Sequence, residues 1–225
     1  MSAAKSGPAP FEAGSDPGQP AAVRTPVAVV GTLAEFRRDP VPYDLAALVR
    51  FVRGISPDLL CLDMTLEQWQ RRDFGGLPVE YRDALLPLAD QTDIVVVPIG
   101  DPAGARAVPL DEPVAFQGIR GWWLGRLYSA CDRLQRGAHS PVAVGEGPRH
   151  ATAELLLHLV DYLRTPKARK AAKAHRAVLA ERTVEMARRD PCRRILVVVN
   201  ARYCHQLRRA LRKRPGVALV RHSSL

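Results

Sequence analysis

The sequence predicts a single α/β domain: a mostly parallel sheet of about five strands with flanking helices and a helical insertion. Three observations lead there. From residue 26 onward, short β-branched or leucine-rich runs alternate with amphipathic stretches, the pattern of βα units that pack helices on a parallel sheet. Four of those runs are apolar at consecutive positions, as strands covered on both faces must be. The 225 residues, 47% of them apolar, suffice for one sizeable core and fall short of two ordinary domains.

Taken in order, residues 1–25 hold Ser, Gly, Pro and Ala with scarcely any large apolar side chain. Burial there cannot offset the entropy of ordering, so a disordered tail is expected, followed by the domain at 26–225. Strands are predicted at 27–30, 59–63, 93–97 and 195–199, with a shorter fifth at 217–220, so that early and late segments build one sheet. Between the first two, residues 43–52 place leucine and valine at helical spacing, and Gly54 follows as a stop signal. A short helix is expected at 65–70, then a Pro/Gly-rich loop at 98–113.

The insertion begins with a helix at 116–134, which carries the neighbouring indoles Trp122 and Trp123. One is expected in the core and the other under the preceding loop, with an interface role as the competing reading. A second loop at 140–148 suits either a lid or a connector. Residues 152–164 and 167–189 read as two helices broken at Thr165-Pro166, because proline removes a backbone donor and restricts its predecessor. A basic helix at 207–213 completes the set, and no internal repeat of solenoid length occurs.

No run approaches the roughly eighteen apolar residues of a membrane span, and the first residues lack the basic-then-apolar pattern of a secretory signal. No membrane span and a cytoplasmic location are expected. Cys61, Cys131, Cys192 and Cys204 are scattered without a CxxC pair, which points to reduced thiols. The net charge of +10 is uneven: residues 161–225 hold 18 Lys/Arg against 4 Asp/Glu. The stretch 164–176 has six Lys/Arg and no acid, and Arg208, Arg209, Arg212, Lys213 and Arg214 form a second cluster. Such asymmetry suits nucleic acid, anionic lipid or an acidic protein partner, or simply solvated helix faces. Nucleic acid is the less favoured partner, because no recognised nucleic-acid-binding motif accompanies the charge.

Three places carry potential chemistry. Gly31-Thr32-Leu33-Ala34 leaves the first buried strand at the edge where α/β sheets bind ligands, and equally suits an ordinary βα turn. Asp63 ends the second strand beside it, as a base, a metal ligand, or a solvated helix cap. The last long strand runs into Asn200-Ala201-Arg202-Tyr203-Cys204-His205. Neighbouring helical residues point about 100° apart, so Cys204 and His205 read as a buried thiol and a surface imidazole rather than a catalytic pair. His150 and His158, eight apart and about 12 Å along a helix, read as cap and core-edge residues. His139 and His175 show no constellation, and no metal ligand or cofactor is assigned.

The order of these motifs is distinctive once the segment Glu181-Arg182-Thr183-Val184-Glu185-Met186, with its Arg-x-x-x-Met spacing, is added. In that order the chain resembles the TraB/PrgY/Tiki-like superfamily, which includes GumN-like and ChaN/EreA-type proteins, over nearly all residues from 27 onward. Members pair a GTxH motif, a strand-end Glu and a late GxGH motif, and many are regarded as metal-dependent hydrolases or proteases. Gly31 and Thr32 match the first motif, but Ala34 stands at its histidine. Asp63 replaces the glutamate, Arg182 is kept, and Thr183 stands where asparagine is common. In the last motif Tyr203 replaces the histidine and both glycines are gone.

Alanine offers no donor and neutral tyrosine binds zinc, manganese or iron poorly. Arg202 brings a permanent charge that disfavours a cation and favours an anion. The resemblance therefore implies a hydrolase-family pocket for a peptide-like or anionic small ligand, without the usual metal and without a cofactor. Asp63 and Tyr203 are its catalytic candidates, and Gly31, Thr32, Arg182 and Arg202 line the substrate site. The competing expectation is a noncatalytic protein that binds an acidic partner or nucleic acid through its basic C-terminal helices.

Overall fold

The computed structural model describes residues 24–32, 43–102, 118–163 and 166–225. The segment 1–23, Ala34, Thr165 and most of the 98–113 loop lie outside the described residues. Five strands form one sheet: β1 (Thr25–Thr32), β2 (Leu59–Leu62), β3 (Val95–Pro98), β4 (Ile195–Asn200) and β5 (Val217–Leu219). Their order is β3-β2-β4-β1-β5 and every pair is parallel. The architecture is the expected single α/β domain, with each strand within two residues of its expected bounds.

Parallel pairing demands a crossover after every strand, and the crossovers cover both faces. That is why β2 and β4 are buried at every position. Side chains alternate between two cores. Ala28, Val30, Leu60, Leu62, Leu196 and Val198 face α1 (Leu45–Ile55), a π-helical turn (Tyr81–Leu85) and α3 (Leu86–Asp90). Val27, Val29, Leu59, Cys61, Ile195 and Val197 face α7 (Pro166–Arg189) and α8 (Ala201–Leu211).

Several boundaries differ from expectation for local reasons. Asp44 caps α1, which runs through Gly54 and ends only where Ser56 turns left-handed at φ 50° and returns its N–H to the Val52 carbonyl. A helical glycine costs only about 1 kcal/mol, less than the buried Leu48 and Val52 supply by holding this helix on the sheet. Thr65, not Asp63, caps α2 (Leu66–Arg71), in a reciprocal capping box with Gln68. The 140–148 loop contains a short helix, α5 (Pro141–Gly145), capped by Ser140. α8 starts six residues earlier than expected, because the Asn200 side chain accepts from Arg202 N–H and caps it at the strand end.

The rest of the insertion consists of α4 (Gly118–Arg136) and α6 (Pro148–Leu163), which pack together. Leu124 and Cys131 are buried apolar side chains of α4, whereas Trp122 and Trp123 are 56% and 52% exposed. Neither indole is in the core: Leu124, the next residue along, takes the inward position instead. No helix among the described residues is long and apolar enough to cross a membrane.

Candidate functional site

Because β4 lies between β1 and β2, three strand ends become neighbours. Thr32 pairs with Asn200, and Leu62 with Val198. Asp63, one residue past β2, therefore shares an edge with Arg202 and Tyr203 at the start of α8. Across this edge α7 contributes His175, whose Nε2 lies 3.0 Å from Asp63 Oδ2. The two side chains are 9% and 16% exposed. The Tyr203 ring sits 5.2 Å from the His175 ring, and the Arg202 guanidinium 4.9 Å from the Tyr203 ring. Four groups thus converge: a carboxylate, an imidazole, a phenol and a guanidinium.

Asp63 is held from three sides. From the α1 layer, the buried Tyr81 hydroxyl donates to the Val198 carbonyl at 2.6 Å and hydrogen-bonds the Asp63 backbone. Burial first, then the nearby Asp63 carboxylate, pushes the Tyr81 phenol well above its ordinary value, so it remains a donor. Beyond β3, the Gly100 N–H donates to the Met64 carbonyl at 2.8 Å, and a Cβ at Gly100 would lie 2.7 Å from the Met64 backbone. Only glycine lets this strap lie against the peptide that follows Asp63. Finally Arg182 donates to the Gly100 carbonyl at 2.5 Å. It follows His175 by seven residues, two turns along one face of α7.

The expected site residues thus fall into groups. Asp63, Tyr203 and Arg202 come together. Arg182 clamps the strap beside them. Thr32 is 1% exposed and its hydroxyl donates to the Val199 carbonyl at 3.3 Å, closing β1 against β4. At Gly31 a Cβ would lie 3.0 Å from Cys204 Sγ and 3.1 Å from Ala201 Cα, so its bareness admits the first turn of α8. His175, Tyr81 and Gly100 went unrecognised in the sequence. His175 stands 112 residues from Asp63, and its only local signal is its two-turn spacing from Arg182.

Cys204 is fully buried and its thiol is pushed up to about 12 by burial, so it does not supply a thiolate nucleophile. His205 points elsewhere, to Glu154 at 3.4 Å. His150 and His158 flank the same carboxylate at 3.9 and 3.7 Å, approaching its two different oxygens. Among the described residues no three His, Cys, Asp or Glu side chains stand as a metal-ligand group. At the strand edge the donors are one carboxylate and one imidazole already bonded to each other, with a guanidinium beside them. That set does not fit the metal which the family resemblance implies.

A small cavity of about 20 Å³ is lined by residues of α4, α5 and α6, including His150 and Arg149, together with Ala201, the residue before Arg202. No protein-family model, curated protein or solved structure matches this chain.

Proposed function

We propose that this chain is a divergent TraB/Tiki-like hydrolase-family protein that binds and cleaves a peptide-like substrate at the carboxyl edge of its sheet, without the metal ligands usual in that family. The observation that carries this reading is the contact of Asp63 with His175 at the ligand-binding edge of a parallel sheet. Donation from His175 Nε2–H to Oδ2 positions the carboxylate and leaves Asp63 Oδ1 to take a proton from water as its oxygen adds to the peptide carbonyl; the C–N bond then breaks as Asp63 returns that proton to the leaving amine. Arg202 supplies fixed positive charge for a substrate carboxylate or a developing oxyanion. The Tyr203 ring packs against both the His175 ring and the Arg202 guanidinium.

The test is cleavage of a mixed peptide library by chelator-treated protein, read by mass spectrometry. General-base catalysis contributes about 10²- to 10⁴-fold, so Asp63→Asn should lower kcat by that order with KM little changed. His175→Gln, a positioning change, should lower kcat less than Asp63→Asn does, with KM little changed. Full activity in Asp63→Asn would sink the catalytic assignment. Peptide binding that survives Asp63→Asn, with no cleavage by the parent, would favour the interaction-protein reading instead.

A further inference from the structure

We infer that α4, α6 and the first half of α7 form a docking face for a lipid bilayer bearing anionic headgroups. Eight large apolar side chains are exposed among the described residues, and six of them lie on two neighbouring helices. Ile119, Trp122 and Trp123 are on α4; Leu155, Leu159 and Tyr162 are on α6. The α6 residues, spaced four and three apart, form one stripe, as do those of α4 at spacings of three and one. Both helices already bury an inner set, Leu124 and Cys131 on α4 and Leu157 and Val160 on α6. Packing of the insertion therefore leaves the outer stripes unexplained.

The helices that bear the stripes are tied together. Arg120 Nε, next to Ile119 in sequence, donates to the carbonyl of Leu163, next to Tyr162, at 2.5 Å, which fixes the start of α4 to the end of α6. Cations frame the rings: the Arg126 guanidinium lies 5.3 Å from the Trp122 ring, and that of Arg169 5.9 Å from the Tyr162 ring. From Tyr162 the surface continues into α7, where Lys167, Arg169, Lys170 and Lys173 are exposed and residues 162–180 contain no acid. The second basic cluster is partly engaged elsewhere, since Arg208 donates to the Val29 carbonyl and Arg214 pairs with Glu181.

This combination fits a bilayer interface. Indole and phenol rings settle at headgroup depth, Ile119, Leu155 and Leu159 enter the acyl boundary, and the Lys and Arg ammonium and guanidinium groups meet anionic lipid. Nucleic acid fits less well: its bases stack on Trp122 or Trp123, but the three aliphatic side chains offer no stacking plane. A second copy docking through the same face would set like charges against each other.

The experiment is cosedimentation of the full chain with phosphatidylcholine vesicles, with and without phosphatidylserine, at rising salt. Binding is expected only with phosphatidylserine, weakening as salt rises, with a blue shift of tryptophan emission. Trp122→Ser with Trp123→Ser should weaken it at least about tenfold, and Lys170→Ala about fivefold. All three positions are exposed, so thermal melts should match the parent. Equal binding to both vesicle types, or to neither, overturns the proposal. So does tight binding of a single-stranded oligonucleotide that depends on the same side chains while vesicles stay unbound.

Discussion

At Gly100 the backbone of Met64 occupies the space a Cβ would need, at 2.7 to 2.9 Å, whereas Gly54 meets nothing within 4 Å. The two glycines therefore answer substitution with opposite signs. Gly100→Ala should destabilise the protein by about 1–3 kcal/mol through overpacking against rigid backbone. It should also lower any activity that depends on Asp63. Gly54→Ala, inside α1, should stabilise by about 0.5–1 kcal/mol. Urea midpoints at constant m decide both, and an unshifted Gly100→Ala midpoint would refute the close strap. The same contrast governs legibility. The placing of Asp63, Arg202 and Tyr203 at strand ends was readable because such ends can be located from apolar runs. His175 was not, because nothing near it in sequence signals a carboxylate 112 residues away.

Short elements around the site owe their boundaries to side chains that satisfy backbone groups. Thr65 accepts from Gln68 N–H at 3.1 Å while Gln68 Oε1 accepts from Thr65 N–H at 2.9 Å, so α2 starts immediately after Asp63 and Met64. Thr65→Ala should cost about 1 kcal/mol, and Thr65→Ser should restore most of it. A chemical-denaturation series on these two variants checks it, with equal losses for Ala and Ser counting against the cap. Strands were readable element by element, since burial on both faces leaves unbroken apolar runs. The π-helical turn that delivers Tyr81 was not, because five residues carry no periodic signature of their own. Nor was the first turn of α8, because the burial of a charged residue, Arg202, at its start is not announced by any apolar run.

Over the whole molecule, the core between the sheet and the α7/α8 layer carries a titration of its own, through Cys61 and Cys204. Burial pushes the thiols of Cys61 and Cys204 from 9.0 up to about 12. The unfolded chain releases these protons near pH 9 while the native state keeps them. The native state then binds more protons, and stability must fall as pH rises from 9 towards 12. The slope is at most about 1.4 kcal/mol per pH unit per thiol. Cys61→Ala with Cys204→Ala should lower stability at neutral pH through lost packing, yet flatten its alkaline decline. Parallel slopes for parent and variant between pH 9 and 11 would contradict the burial of these groups. The sequence alone determined the five strands, their parallel α/β setting and an acid at the second strand end, because each is written in runs of adjacent residues. Only the tertiary structure decided that β4 enters between β1 and β2, that His175 meets Asp63, and that both Trp122 and Trp123 face outward. Those outcomes depend on which distant segments share a sheet edge or a helix pair, and local propensity carries no information about partners more than 100 residues away.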